Sequence, residues 1–255
     1  MKLRGKKAQL TIFIILGIII VVGVLLAIYL SSKPTAERDP SKDPQGYIED
    51  CMKGLLINAE AKLLPQAGYR LPTNFILYNE TKVPYLCYTS QNEKLCTNLE
   101  PLLRDKIQNE LRLETQAGVE KCFDKLRTTY QNFGYQAGPT NYSVEIVAGS
   151  LIAHVNKNIK ITRDQSTQEF NYFEYKESSP IFDFIILTND ILTRETTCDC
   201  ANNACRADVL ALSKLNPRYE LALFVTSKNE NVYTIQDTVT PSKFMFSVRN
   251  CVRLP

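Results

Sequence analysis

From Gln9 to Leu30 the chain runs QLTIFIILGIIIVVGVLLAIYL, 22 residues without a charge or a proline. As a helix that run would rise about 33 Å at about 1.5 Å per residue, matching a hydrocarbon core of about 30 Å. A lone segment in lipid satisfies its own backbone donors and acceptors only as a helix. The pattern therefore predicts a single transmembrane helix over residues 9–30, with the lipid bilayer as its partner. Ahead of it stand Lys2, Arg4, Lys6 and Lys7 with no acid among them. The positive-inside bias keeps this leader, residues 1–8, in the cytoplasm and sends the rest of the chain outside. A removable secretory signal fits less well. Its apolar region runs about 7–15 residues and ends in a small-residue site, whereas here the run is longer and Ala27-Ile28-Tyr29 breaks that pattern.

Residues 31–45, SSKPTAERDPSKDPQ, carry Pro34, Pro40 and Pro44 and no large apolar side chain. They read as a stiffened spacer that cannot order itself by burial. Helical periodicity follows. Ile48, Cys51, Met52, Leu55, Leu56, Ala59 and Leu63 form one apolar face from about Gly46 to Leu64, ended by Gln66-Ala67-Gly68. Asn74–Tyr78 and Val83–Tyr88 are short and aromatic-rich, giving two strands about an Asn79-Glu80 turn. A second helical region spans Leu99 to Phe133, with Gly118 as a candidate break between its two stripes. From Gly138 the period becomes two. Val144 and Ile146, then Leu151, Ala153 and Val155 beyond Gly149-Ser150, predict a hairpin. Phe170 and Tyr172 followed by Phe173 and Tyr175 predict a bulged strand.

Pro180 opens a further helix with Ile181, Phe184, Ile185, Thr188, Ile191 and Leu192 on one face. Another short helix is expected over residues 206–215, and closing strands over 219–226, 231–237 and 244–248. The expectation is an α+β ectodomain with an antiparallel sheet, helical in its N-terminal part (46–137) and mainly β in its C-terminal part (138–255).

Charge refines this reading. The chain has 30 Lys+Arg and 27 Asp+Glu, and removing the four basic residues of the leader leaves a formal −1 for residues 31–255. The basicity is a topology signal, not the clustered face that nucleic acid requires, so no nucleic-acid partner is expected.

The stretch Lys6-Lys7-Ala8-Gln9-Leu10-Thr11, running into the apolar segment, resembles the archaeal class III signal peptide of type IV pilin-like proteins. The resemblance covers residues 6–30. It implies cleavage between Ala8 and Gln9 on the cytoplasmic side, after which the apolar helix packs like subunits into a filament. In that family a glutamate stands five residues into the mature chain, where it sets register with a neighbour. Here that place is Phe13, which weakens assembly more than cleavage. The ectodomain resembles those of single-pass archaeal membrane proteins with such leaders, and that resemblance implies no activity.

All eight cysteines lie beyond the apolar run: Cys51, Cys87, Cys96, Cys122, Cys198, Cys200, Cys205 and Cys251. An even count on an outward-facing unit favours disulfides. Cys87 and Cys96 flank a polar loop that a bridge would staple. Cys51 and Cys122 sit on two apolar helix faces that a bridge would join. Cys198, Cys200, Cys205 and Cys251 remain for two more. These last four are also a zinc alternative, although C-x-C-x4-C is not the usual paired spacing. Cys198-Asp199-Cys200 is a redox alternative, disfavoured by the acid between the thiols.

No catalytic residue, metal ligand or cofactor is assigned. His154 is the only histidine and falls in a strand, and no phosphate loop, H-E-x-x-H or G-x-S-x-G occurs. Asp183 and Asp190 share a helix as a solvated face. Asn79-Glu80-Thr81 and Asn141-Tyr142-Ser143 are N-glycosylation acceptors in turns. The expected role is a non-enzymatic, membrane-anchored surface or envelope protein, with envelope proteins or like subunits as partners. A pilin-like subunit processed after Ala8 is the alternative, and an ectoenzyme without a familiar motif is the second.

Overall fold

The computed structural model describes residues 15–18, 20–22, 38–163, 165–200, 212, 214 and 216–252. The chain divides into two units, Met1–Arg38 and Asp39–Pro255. In the first, residues 15–18 and 20–22 are helical and exposed. The rest of the expected span 9–30, together with Ala8 and Gln9, lies outside the described residues. Among the described residues no helix is long and apolar enough to cross a membrane.

The second unit opens with helix α1, Pro44–Leu63. It begins two residues before its apolar stripe, because the Asp43 carboxylate accepts from the Gly46 N–H at 2.9 Å and proline is preorganised for the first helical position. Pro44 and Gln45 thus belong to the helix and not to the spacer. Just upstream, the Tyr130 hydroxyl donates to the Pro40 and Ser41 carbonyls at 3.0 Å, so that stretch is held as well. A 3-10 turn, Leu64–Gln66, closes α1, and the chain reverses through Ala67 (φ 49°) and Gly68 (φ 81°). A Cβ on Gly68 would also collide with Ile107, so glycine is required there twice over.

Strands β1 (Phe75–Tyr78) and β2 (Thr81–Tyr88) form the expected hairpin. Its turn residues Asn79 and Glu80 both have positive φ, 45° and 65°, as a two-residue turn matched to strand twist demands. After the short β3 (Thr97–Asn98) comes α2, Leu103–Thr129. It runs unbroken through Gly118, correcting the expected break. The glycine serves packing: a Cβ there would overlap the Leu55 side chain of α1.

Strands β4 (Gly134–Ala137), β5 (Asn141–Val147), β6 (Ser150–Arg163) and β7 (Ser166–Ser178) form an antiparallel four-stranded sheet. β7 lines one side of β6, and β4 and β5 share the other. The register of β6 on β7 shifts between Asn156 and Ile159, opposite Tyr172 and Phe170. This is the bulge that the Phe170–Tyr175 pattern implied, and it turns both Phe170 and Phe173 toward the core, with ring centroids 6.3 Å apart.

Helix α3, Ile181–Thr197, follows Pro180. The helix expected over residues 206–215 lies outside the described residues, apart from Leu212 and Lys214, which are helical. Strands β8 (Tyr219–Val225), β9 (Asn231–Asp237) and β10 (Lys243–Arg249) complete a six-stranded sheet, ordered β1-β2-β10-β9-β8 with β3 on β2. Here the expectation of an antiparallel sheet needs correcting. β10 lies parallel to β2, because strands so far apart in the chain are not bound by hairpin geometry.

The helices fill the space against the inner faces of the sheets. α1 buries Ile48, Met52, Leu56 and Leu63, and α2 buries Leu103, Ile107, Leu111 and Leu126. Under α3 the rings of Phe184, Tyr219, Phe244, Phe246 and Tyr233 form a contiguous series with neighbouring centroids 5.2–6.3 Å apart. Each such pair adds about 0.5–1.5 kcal/mol beyond its buried area. A smaller cluster, Val83, Val232 and Met245 with Ile76 and Tyr78 against it, stands apart from this core.

Candidate functional site

The cysteines form the frame. Cys51 of α1 is bonded to Cys122 of α2 (Cα–Cα 6.4 Å), and Cys87 of β2 to Cys96 ahead of β3 (5.4 Å). Cys200, beyond α3, is bonded to Cys251, beyond β10 (5.2 Å). Cys198 is also disulfide-bonded, and Cys205 lies outside the described residues. The first two pairings are those that helix faces and loop length suggested. Bonding of Cys200 to Cys251 removes the zinc and dithiol alternatives, since both need thiolates that a disulfide does not supply. Among the described residues no group of His, Cys, Asp and Glu is placed to hold a metal ion.

The other sequence candidates are dispersed. His154 lies on β6 between Glu145 of β5 and Glu174 of β7. Its Nδ1 is 2.7 Å from the Tyr172 hydroxyl, and the two carboxylates stand 3.5 and 3.4 Å away. Tyr172 donates to Glu174, and that hydrogen bond holds the phenol above its ordinary range. This satisfied imidazole is a cross-strand tie on the sheet surface. Asp183 accepts from the Tyr219 hydroxyl at 2.5 Å, whereas Asp190 is exposed, so the two acids have separate surroundings. Asn79 and Asn141 are both exposed, one at a hairpin tip and one at the start of β5.

Among the described residues Glu60, Glu195, Glu230 and Asp237 are buried acids that the reading of the sequence did not single out, and the first two build centres that join separate elements. Glu195, at the end of α3, is 1% exposed. Its carboxylate accepts from the Tyr233 hydroxyl, from Asn231 Nδ2 at 3.1 Å and from Asn250 Nδ2 at 2.8 Å. Asn250 in turn accepts from the Cys96 N–H at 2.8 Å. One carboxylate therefore ties α3, β9 and the segment after β10 to the Cys87–Cys96 bridge. The signal was present, since Glu195 sits four residues after Ile191 on the apolar stripe of α3.

The second centre joins α1 to β7. Glu60, 9% exposed, accepts from Ser179 Oγ at 2.6 Å. Burial raises its carboxyl, partly offset by that hydrogen bond. Glu177, on the inner side of β7 opposite Leu151, keeps Oε1 buried without a hydrogen-bond partner. Burial first, and then the charge of Glu60, push it up to about 7, with Lys53 and Tyr175 pulling the other way. Tyr175 itself is raised to about 12 by burial and then by Glu177. Near neutral pH such a pair shares one proton. An inward acid on an edge strand also discourages edge-to-edge pairing with other chains. Glu60 stands four residues after Leu56, again an acid on an apolar stripe.

No protein-family model, no curated protein and no solved structure matches this chain.

Proposed function

We propose that the chain is a non-enzymatic, membrane-anchored surface or envelope protein whose disulfide-bonded α+β unit faces away from the cytoplasm. The observation that carries this reading is the state of the described cysteines. Cys51–Cys122, Cys87–Cys96 and Cys200–Cys251 are bonded, and Cys198 is bonded as well. Bridges of this number persist in oxidising compartments. The charge-free run 9–30 behind a basic leader supplies the anchor and the direction. Its partners are the bilayer and neighbouring envelope proteins.

The test combines two measurements on the full chain. Thiol titration of the denatured protein should find none before reduction and eight after it, one for each cysteine of the sequence. Protease added to whole cells should remove the C-terminal unit, and the protein should leave the membrane only with detergent. Eight free thiols before reduction, or release without detergent, overturns the reading. The leader around Ala8 and Gln9 supports the pilin-like alternative, and sequencing the mature N-terminus decides it. A start at Gln9 moves the chain into that class, and a start at Met1 removes it.

A further inference from the structure

The bulge in β6 brings a lysine to an unusual place. Inward positions along this strand read Leu151, Ala153, Val155, Ile159 and Ile161, all buried. Lys157 falls in the same alternation, within the two-residue stretch where the register shifts. Bulges re-aim side chains and are over-represented beside functional sites. The Lys157 ammonium reaches the loop between β4 and β5. There it donates to the Gly138 carbonyl at 2.9 Å and to Thr140 Oγ1 at 2.8 Å, and it stands 5.3 Å from the centroid of the Phe123 ring. Both acceptors are neutral. Burial holds this lysine below its ordinary range, with the charges of Asp124 and Glu120 opposing that shift.

Beside the ammonium is a cavity of about 310 Å³ lined by Phe123, Asp124, Arg127, Tyr135, Gly138 and Lys157. Arg127 is paired with Asp124 at 3.1 Å, and Lys157 and Arg127 against Asp124 leave the lining with a net formal charge of +1. An ammonium has three N–H donors, and two are used. Burial raises the Tyr135 phenol above its ordinary range, and its amphipathic ring forms one wall. Asp124 and the Gly138 carbonyl offer acceptors to hydroxyl groups. The volume lies at the small end for ligand sites.

We propose that this cavity binds a small monocarboxylate bearing hydroxyl groups, of the size and class of one hexuronic acid residue. The carboxylate takes the third Lys157 donor and offsets the charge of the lysine. The ring lies against Tyr135, and hydroxyls donate to Asp124 and Gly138. A dianion such as phosphate fits worse, because a net lining charge of +1 cannot balance it. The inference stands independently of where the protein resides.

Calorimetric titration of the detergent-solubilised full chain with D-glucuronate, at fixed ionic strength, tests this assignment. Saturable one-to-one binding near ~1 mM is expected, with D-glucose giving none. Lys157→Gln should weaken glucuronate about tenfold or more, and Lys157→Arg should retain most of it. Should the glutamine variant melt early, Tyr135→Leu serves instead, with an expected loss of about fivefold. No glucuronate binding, equal binding of glucose, equal or tighter binding of inorganic phosphate, or unchanged affinity in these variants each overturns it.

Discussion

Replacing Glu177 by glutamine removes the charge from one of two carboxyls packed between α1 and β7 while keeping its shape. In the folded chain this carboxyl stands at about 7, against an ordinary value of 4.5. At about 1.4 kcal/mol per tenfold change in proton affinity, that gap corresponds to about 3 kcal/mol. Glu177 is only half-buried, so solvent screening lowers the working figure to about 1–2 kcal/mol. The sign follows from proton linkage. Below pH 4.5 folded and unfolded chains both hold the proton and the cost is absent. Between 4.5 and about 7 the unfolded chain releases it while the folded chain keeps it, so stability falls as pH rises. Above about 7 the whole cost is present.

Glu177→Gln should therefore raise stability by about 1–2 kcal/mol at about pH 8.5 and leave it unchanged at about pH 4. Urea unfolding with the disulfides intact reads this as a midpoint that moves at constant slope. Because the titration belongs to the pair, Glu60→Gln should act in the same direction, and the double variant should gain less than the sum. A gain of equal size at both pH values, or a loss at the higher one, would refute the shared-proton account.

The remaining predictions concern packing and the bridges. Glu195→Ala leaves the donors of Asn231, Tyr233 and Asn250 without their common acceptor, and at about 1–3 kcal/mol for each orphaned buried donor urea unfolding should show a loss of at least about 3 kcal/mol. Serine in place of both Cys51 and Cys122 opens a loop of separation 71 and should cost about 4 kcal/mol. The same change at Cys87 and Cys96, separation 9, should cost about 2.5 kcal/mol, both readable from thermal melts. Gly118→Ala forces a methyl group into Leu55. Its overpacking cost of about 1–3 kcal/mol should exceed the helix-propensity gain of about 1 kcal/mol, giving a lower melting temperature.

What could be read from the residues was what depends on near neighbours. The stripes of α1, α2 and α3, the Asn79-Glu80 hairpin and the bulge between Phe170 and Phe173 all have local causes in period and turn chemistry. Cys51 and Cys122 could be paired because each lies on an apolar helix face. The parallel seating of β10 against β2 was invisible, since no local pattern encodes which distant strand a buried run will meet. Gly118 misled because helix propensity and close helix packing both speak through glycine, and here packing decides. Glu60, Glu195 and Lys157 were each visible as a polar residue at an apolar position. Only the fold shows what each one meets there: Ser179 and Glu177, a ring of amide and phenol donors, and an open cavity.

The seating of β10 sets the order in which this protein can mature. Ser247 of β10 reaches the Val83 carbonyl across 164 residues of chain. The innermost seam of the larger sheet thus joins partners that emerge far apart in time, and such distant closures are the slow ones. Until that seam forms, β2 presents a naked edge to any passing strand. The Cys87–Cys96 clasp needs only its own short loop and is free to lock early, whereas Cys200–Cys251 waits for the closing strand. Trapping thiols during oxidative refolding would then work as a clock, with the first bridge marking the hairpin and the last marking the finished sheet.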